Sequence, residues 1–421
     1  MRSDRYKEET KTSQKPKKKS RTLLKVLLVL ILLLAVAVPA SVYYSYKSAE
    51  DSLALTFKDD NAKYEIGAMV SSEDLIASSE GDVKASEESL DTDTAGDKEL
   101  SYTVKKSLFG GLLEPEKEFT YHYSVEDSTP PLMLWSGEGA VVVTGDKFDI
   151  KNVVGYGDNA DPSPKIEYTG KVDTGKPGDY PLHVTVTDAS GNSTDWDTSI
   201  TVADTVPSYQ DDSPRTKFSD FISTYKADGR HFGIDVSEWQ GDIDFEAVKK
   251  AGCEFVIMRA GFSMDGKVTA DATFKKNYEG AKKAGLKIGL YLFSYDNTEE
   301  LARNSAKWVI DQLGGDSLDL PVAFDWEDFG QFQTYDMSFI GLNRLYDAFA
   351  DELNKAGYDC MLYGSKNYLE KIWEDMDTRP VWLAHYADST DYKNPYRIWQ
   401  ASCTGRIDGI GGDVDMNIMY D

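Results

Sequence analysis

Hydrophobic and polar positions divide the 421-residue chain into regions with different periodicities. Residues 26–45 form a long apolar run, residues 50–204 alternate in short stretches between turns, and residues 205–228 are polar and aperiodic. From residue 229 onward, short apolar runs alternate with stretches of helical period. In order, these patterns predict a membrane-length helix, two β-rich regions, a linker and repeated β/α units.

The apolar run at residues 26–45 is predicted to be a transmembrane helix, because about twenty apolar residues span a hydrocarbon core of roughly 30 Å. The preceding residues 1–25 carry ten Lys/Arg and three acidic residues. Positive flanks stay in the cytoplasm, so this basic tail is expected inside and all later domains outside. Cleavage as a signal peptide near Ala40, followed by secretion, is the alternative.

The middle of the chain contains an internal repeat. Residues 90–104 (LDTDTAGDKELSYTV) and 172–186 (VDTGKPGDYPLHVTV) align without gaps and share seven of fifteen residues. Each copy ends in an alternating stretch after a Gly-Asp turn, which is typical of a half-buried strand. We therefore predict two β-sandwiches, at residues 50–126 and 127–204.

The second repeat resembles bacterial immunoglobulin-like surface domains. The resemblance rests on DSTPP at residues 127–131, GDY at 178–180 and TDASGN at 187–192. It implies a spacer or adhesive role for this region, and no catalysis.

Charge and cysteine content exclude several classes of function. The net charge is −26, and the residues after the basic tail carry −33, because the tail contributes +7. Such an acidic surface disfavours nucleic-acid binding. The three cysteines have no CxxC spacing, and the chain contains neither a phosphate loop nor a dinucleotide fingerprint. No metal or cofactor is therefore expected.

The β/α pattern of residues 229–421 predicts a mostly parallel sheet, either open or closed into a barrel. This length is short for a complete eightfold barrel, so late helices are expected to be missing. The predicted architecture is a multidomain chain with an N-terminal transmembrane helix, two central β-sandwiches and a C-terminal modified β/α (TIM-like) barrel.

Acidic residues stand at the predicted strand ends. Asp235 ends the first strand, Asp325 and Glu327 end the fourth, and Asp415 lies in the last. Residues i and i+2 of a strand face the same side, so Asp325 and Glu327 should point together into the mouth of the barrel. Close carboxylates raise one pKa, and a carboxyl that keeps its proton near neutral pH can act as a general acid in glycoside hydrolysis.

Seven motifs follow in order from residue 235, and they resemble glycoside hydrolase family 25, the Chalaropsis-type lysozymes. The motifs are DVSEWQG (235–241), VIMRAG (256–261), GLYLF (289–293), FDWE (324–327), WLAHY (382–386), IWQ (398–400) and GDVDMN (412–417). One position departs from the family pattern, because Leu292 stands where many members have a His.

The resemblance implies hydrolysis of the β-1,4 bond between N-acetylmuramic acid and N-acetylglucosamine in peptidoglycan. It makes Glu327 the general acid, with Asp325 supporting it and with Asp235 and Asp415 completing the acidic cluster. Side chains expected to contact the sugars are Arg259, Tyr291, Tyr295, Tyr363, Trp382, Tyr386 and Gln400. A surface protein that binds wall glycan without cutting it remains the alternative, and another glycosidase, such as a chitinase, is a third hypothesis.

Overall fold

The computed structural model describes residues 19–208 and 211–421. The described chain forms two compact units that meet in sequence between Glu126 and Asp127. The first unit begins with helix α1 (Lys19–Ser52). An 18-residue stretch within Thr22–Ser52 has a mean hydropathy of 2.9 and is not buried. The helix is therefore long and apolar enough to cross a membrane, as a signal sequence near an N-terminus also is. Most of the predicted basic tail, residues 1–18, lies outside the described residues.

The first unit also contains four short strands, β1 (Leu55–Phe57), β2 (Ala62–Glu65), β3 (Ile76–Ser79) and β4 (Asp82–Ala85), and two long ones, β5 (Gly96–Lys105) and β6 (Glu116–Glu126). Strands β2, β6, β5 and β4 form a four-stranded sheet in that order, and β1 pairs with β3. The buried side chains of β5 and β6, including Tyr102 and Tyr121, form the core of this unit.

The second unit begins with residues 127–204, named the Ig-like region for its sequence resemblance. Its strands are β7 (Leu132–Trp135), β8 (Val141–Val143), β9 (Gly155–Gly157), β10 (Lys165–Gly170), β11 (Gly178–Thr187) and β12 (Ser193–Ala203). Strands β10, β11, β12 and β8 form one sheet, and β7 pairs with β9. The two sheets share one core, in which Val154 and Tyr156 are buried in the same cluster as Val184 and Ile200.

The sequence repeat corresponds to a structural repeat. Strands β5 and β11 each begin at a glycine with positive φ, Gly96 or Gly178, and they have the same order of buried and exposed positions. Each pairs antiparallel with the next long strand, which in turn pairs parallel with an earlier short strand. The alternating hydrophobic pattern therefore produced the same four-stranded arrangement twice.

The remaining residues form a β/α region. Its elements are β13 (Thr216–Lys217), α2 (Phe218–Tyr225), β14 (Arg230–Val236), α3 (Phe245–Lys250), β15 (Phe255–Met264), β16 (Lys267–Ala270), α4 (Phe274–Ala284), β17 (Lys287–Ser294), α5 (Glu299–Leu313), β18 (Val322–Asp325), α6 (Phe339–Lys355), β19 (Cys360–Ser365), α7 (Lys366–Leu369), β20 (Val381–Ala384), β21 (Ile398–Arg406) and β22 (Val414–Tyr420). Polar caps start the longer helices: the side chains of Thr298 and Ser338 accept backbone N–H bonds at the first turns of α5 and α6.

Eight of these strands close into a ring. Strands β14, β15, β17, β18, β19, β20 and β21 pair in parallel in that order. The last strand, β22, runs antiparallel between β21 and β14 and closes the ring. Helices follow the first five strands, and the described residues contain none between β20 and β22. Because the strands are buried on both faces, their sequences read as continuous apolar runs.

The prediction of a linker over residues 205–228 is wrong for residues 216–225. Strand β13 pairs in parallel with β21, and α2 packs onto the ring through Phe218 and Phe221, each 2% exposed. These aromatic side chains stand three residues apart, so they share one face of the helix and are buried together. The polar residues between them conceal that spacing in the sequence.

The Ig-like region and the ring belong to the same compact unit and are joined by backbone hydrogen bonds. The first two amides of α6, from Phe339 and Ile340, donate to the carbonyl oxygens of Asp158 and Asn159 at 2.8 and 3.1 Å. The first amides of a helix have no partner within the helix. The Ig-like region therefore supplies acceptors that α6 itself cannot provide.

A second contact joins β9 to the 3-10 helix Phe329–Thr334, which follows β18. The side chain of Gln333 accepts from the backbone N–H of Tyr156 and donates to the carbonyl oxygens of Lys151 and Val154 at 2.7 and 3.0 Å. One amide side chain therefore bonds to three backbone groups of the Ig-like region, which fixes the chain just beyond the end of β18.

Gly157 offers a test of this packing. A Cβ atom on Gly157 would lie 2.6 Å from the ring of Phe332 and 2.7 Å from the ring of Phe339. Gly157→Ala is therefore expected to lower the free energy of unfolding by about 1–3 kcal/mol, the usual cost of overpacking. Thermal unfolding of the full chain measures the effect.

The matched control is Gly175→Ala in the same region, where the nearest atom would be a flexible carboxylate oxygen of Asp173 at 3.3 Å. An unfolding temperature of Gly157→Ala equal to that of the control would contradict the packing described here.

Candidate active site

Four carboxylates gather at one mouth of the ring because of strand pairing. Asp235 of β14 lies directly opposite Asp415 of β22, and these two strands are antiparallel neighbours. Side chains of directly opposed residues lie on the same face of a sheet. Asp325 is the last residue of β18, and Glu327 follows two residues later. All four line a single cleft of about 570 Å³.

Asp235 is held by two amide side chains. It is 5% exposed, and its Oδ1 accepts from Gln400 Nε2 at 3.0 Å and from Asn417 Nδ2 at 2.7 Å. These donors favour the ionised carboxylate and oppose the effect of burial. Burial is the larger effect, and it raises the pKa of Asp235 to about 6.

Three further side chains orient those amides. Trp382 Nε1 donates to Asn417 Oδ1 at 2.8 Å. The hydroxyls of Tyr363 and Tyr386 donate to Gln400 Oε1 at 2.8 and 2.9 Å. An amide whose oxygen accepts hydrogen bonds must turn its NH₂ group the other way. The aromatic shell therefore directs both amide nitrogens toward Asp235.

Burial and charge couple the titration of Asp415 to that of Asp235. Burial, the negative charge of Asp235 and a hydrogen bond between the two carboxyls raise the pKa of Asp415 to about 9. The same hydrogen bond lowers the pKa of Asp235. Since two adjacent carboxylates cannot both ionise cheaply, Asp415 keeps the proton and Asp235 carries the charge at neutral pH.

Asp325 is the most strongly desolvated of the four. It is 4% exposed, and its Oδ1 is buried without a hydrogen-bond partner. Burial, followed by the charges of Glu327 and Asp235, raises the pKa of Asp325 well above its usual range, while Arg259 opposes the shift.

Glu327 is the carboxyl that substrate can reach. Its side chain is exposed to the cleft, whereas Asp235, Asp325 and Asp415 lie deeper. Desolvation by the cleft walls, followed by the charge of Asp235, raises the pKa of Glu327 to about 7. A carboxyl with that pKa is substantially protonated at neutral pH and can donate its proton.

Trp326 fixes the separation of the two carboxylates on either side of it. It is fully buried, its Nε1 donates to the carbonyl oxygen of Asp296 at 3.1 Å, and its ring packs edge-on against Phe329. The predicted fourth strand includes Glu327, but the observed strand ends at Asp325. The buried indole, more than strand geometry, therefore sets the position of Glu327.

All eleven residues predicted for the site line this one cleft. The seven that were expected to contact sugar are Arg259, Tyr291, Tyr295, Tyr363, Trp382, Tyr386 and Gln400. Their exposures differ: Trp382 is 2% and Gln400 3% exposed, whereas Tyr386 is 54% exposed. Trp382 and Gln400 lie behind the acidic cluster and support it, and Tyr386 presents its ring to the opening.

Arg259 is already bonded to protein carboxylates. Its Nε donates to Asp271 at 2.8 Å and its Nη2 to Glu238 at 2.6 Å. Asp271 also accepts from the backbone N–H of Glu238. Arg259 therefore holds the 3-10 turn Glu238–Gln240, which carries Trp239, against the rim of the cleft.

Sequence reasoning left out five other residues that line the cleft: Glu238, Trp239, Phe262, Met264 and Phe293. Trp239 is 80% exposed and is the most accessible aromatic ring of the rim. Phe293 lies two residues after Tyr291 on β17, so strand alternation could have identified it. Strand alternation also directs Leu292 away from the cleft and into the hydrophobic core outside the ring. Leu292 is the residue that departs from the family pattern.

Comparisons with known proteins agree with this geometry. Residues 234–410 match the family model "Glycosyl hydrolases family 25", and residues 134–202 match "Bacterial surface protein, Ig-like domain". Among curated relatives, the chain is 34% identical over 189 residues to an autolytic lysozyme of Clostridium acetobutylicum, an alignment that covers 44% of this chain and 54% of the relative.

Lysozyme M1 of Streptomyces globisporus is 31% identical over 198 residues, with 44% of this chain and 66% of the relative covered. A solved family 25 glycosyl hydrolase from Bacillus anthracis is 21% identical, with 47% of this chain and 92% of that one covered, at a TM-score of 0.41. The chain thus spans about half to two thirds of the length of these curated relatives. The strand-end carboxylates, the ordered motifs and the match over residues 234–410 together place a domain of glycosyl hydrolase family 25 at the C-terminal end of this chain.

Proposed function

We propose that this protein is a peptidoglycan muramidase, a lysozyme that hydrolyses the β-1,4 bond between N-acetylmuramic acid and N-acetylglucosamine. The observation that carries the proposal is the pairing of one reachable carboxyl, Glu327, with two buried ones, Asp235 and Asp325, and the half-buried Asp415 in a single cleft. Glycoside hydrolysis needs an acid that keeps its proton and a neighbouring negative charge, and the cleft contains both. The names of the relatives, an autolytic lysozyme and a lysozyme, support the same substrate.

Glu327 acts as the general acid. With a pKa of about 7, it is protonated in a large fraction of molecules at neutral pH and donates that proton to the departing glycosidic oxygen. Its exposure within the cleft allows direct contact with the bond to be broken.

Asp235 supplies the negative charge that stabilises an oxocarbenium-like transition state. Its carboxylate is fixed by Gln400 and Asn417, so it does not have to reorganise as positive charge develops on the sugar ring. Asp415 holds the proton that Asp235 lacks. Asp325, buried beside Glu327, supports the general acid.

The aromatic rim positions the glycan strand. Trp239, Tyr386 and Tyr295 line the cleft with rings on which sugar faces can stack, and Trp239 and Tyr386 are well exposed. The catalytic ring is, in this proposal, the modified β/α barrel of the family, and the Ig-like region is a β-sandwich.

Helix α1 is, in this proposal, a membrane anchor that keeps the catalytic domain outside the cell. Its apolar segment from Thr22 is long enough to cross the bilayer, and Lys25 and Arg21 at its start favour a cytoplasmic N-terminus. An enzyme that acts on peptidoglycan is then held next to its polymeric substrate. Cell fractionation distinguishes this arrangement from secretion, because a retained anchor leaves the full-length chain in the membrane fraction.

The role of Glu327 is tested by incubating the full chain, in detergent, with purified peptidoglycan and measuring new reducing ends. Glu327→Gln keeps the size of the side chain but removes the proton that can be donated. We expect the rate to fall about 10²–10⁴-fold, the usual contribution of general acid catalysis.

Glu300→Gln, an exposed substitution in the first turn of α5, is the matched control and should retain full activity. Reducing ends identified as muramic acid support the proposal. Peptidoglycan that is bound but not cut would instead make the protein a glycan-binding surface protein, and ends formed only from chitin would make it a different glycosidase.

The pH dependence of kcat/KM gives a second test. Glu327 must be protonated to act, so activity should decline as pH rises through about 7. The charge of Asp235 helps to raise the pKa of Glu327, so Asp235→Asn should lower that pKa and move the alkaline limb of the profile to lower pH.

Glu300→Gln should leave the alkaline limb unchanged. A limb that stays in place in Asp235→Asn, or that moves to higher pH, would mean that Glu327 is not the group whose titration limits the reaction.

A further inference from the structure

Three aspartates meet within the Ig-like region, away from the catalytic cleft. Asp127 precedes β7, Asp158 directly follows β9, and Asp188 directly follows β11. One carboxylate oxygen from each lies within 4.8 Å of those of the other two. The cluster therefore joins three chain segments that are distant in sequence.

Asp158 is the most deeply buried member of this cluster and has a carboxylate oxygen without a partner. The residue is 0% exposed. Its Oδ1 accepts from the backbone N–H groups of Ala160 and Asp161 at 2.9 and 2.7 Å. Its Oδ2 is buried and has no hydrogen-bond partner, and neither has Oδ1 of the adjacent Asn159. A buried carboxylate oxygen without a donor is costly, and a ligand that accepts its lone pairs would remove that cost.

The neighbouring side chains orient the carboxylates without neutralising them. Asn192 donates from Nδ2 to Asp188 Oδ2 at 2.9 Å and to the carbonyl oxygen of Asp127 at 3.1 Å. These donors are neutral amides. Burial and the negative charges of Asp127 and Asp188 raise the pKa of Asp158 to about 6. The cluster thus concentrates negative charge at a largely buried site.

We propose that Asp127, Asp158 and Asp188 bind a calcium ion. The donors are oxygens, which Ca²⁺ prefers, and the three residues provide neither the thiolate nor the imidazole of a typical zinc site. Ligands of Ca²⁺ lie about 2.3–2.6 Å from the ion, so three oxygens that are all within 4.8 Å of one another can contact one Ca²⁺. Mg²⁺ usually keeps several of its waters, which a site of buried carboxylates does not favour. Asn159 Oδ1 is a further oxygen available nearby.

The calcium site would also hold the Ig-like region against the catalytic ring. The carbonyl oxygens of Asp158 and Asn159 accept the first two amides of α6. A cation bound by the Asp158 carboxylate fixes the backbone that makes those bonds. Binding to the folded state alone stabilises it, so Ca²⁺ should raise the unfolding temperature of the whole unit from Asp127 onward.

The test uses the full chain in detergent with CaCl₂ as the probe. Isothermal titration should give one Ca²⁺ bound per chain at this site, and Ca²⁺ should raise the unfolding midpoint by several degrees relative to EGTA. Asp158→Asn and Asp188→Asn should each weaken binding at least tenfold and abolish the shift. Asp146→Asn, an exposed aspartate of the same region, is the matched control and should respond as the parent chain does.

Folding of Asp158→Asn is checked by its midpoint in EGTA, which should equal or exceed that of the parent chain because a buried charge has been removed. Identical midpoints of the parent chain in Ca²⁺ and EGTA, or unchanged Ca²⁺ binding in both cluster variants, would overturn the proposal. So would an equal response to MgCl₂. These readouts do not involve hydrolysis, so they are independent of the proposed muramidase activity.

Discussion

Closure of the ring by an antiparallel strand is the constraint from which the cleft with the four carboxylates follows. Seven strands run in parallel, and β22 enters between β21 and β14 in the opposite direction. This insertion places Asp415 directly opposite Asp235 and brings Asn417 within 2.7 Å of the same carboxylate. Without β22, the mouth would lose both a carboxyl and a donor to Asp235. The site therefore depends on ring closure by β22 as well as on the residues at the ends of the parallel strands.

Repulsion among four carboxyls in one cleft raises the free energy of the folded protein, and neighbouring side chains offset this cost. Four carboxyls in one cleft cannot all ionise, so protons distribute among them according to burial and hydrogen bonding. The two amides fix the charge on Asp235, and the buried Trp326 holds Asp325 and Glu327 in place on either side of it. Functional sites commonly carry such strain, which the surrounding packing must oppose.

The sequence was informative where side-chain pattern and backbone geometry agree. Alternation along apolar strands predicted which residues reach the mouth, and the four carboxylates all line one cleft. The repeat at residues 90–104 and 172–186 corresponds to two hairpins with the same pattern of burial. In each case the hydrophobic periodicity along the sequence matches the pattern of buried positions in the folded chain.

The sequence was uninformative where contacts depend on backbone groups or on distant partners. Carbonyl oxygens of Asp158 and Asn159 accept amides of α6, and such bonds have no residue signature. Arg259 bonds to Glu238 and Asp271, which come from two separate loops. The sequence therefore could not distinguish a structural role of Arg259 from sugar binding. The sequence did not predict helix α2, because two aromatic residues in a polar stretch are too few to show a helical hydrophobic period.

The capping of α6 by the Ig-like region has a consequence for how this architecture can evolve. The β/α region takes acceptors for α6 from the Ig-like region, so moving it alone to another protein would leave the amides of Phe339 and Ile340 unsatisfied. The segment that gene rearrangement can exchange as an intact module is therefore residues 127–421, which form one compact unit. Substitutions in the Ig-like region would then affect the β/α region as well, because they can disturb the first turn of α6.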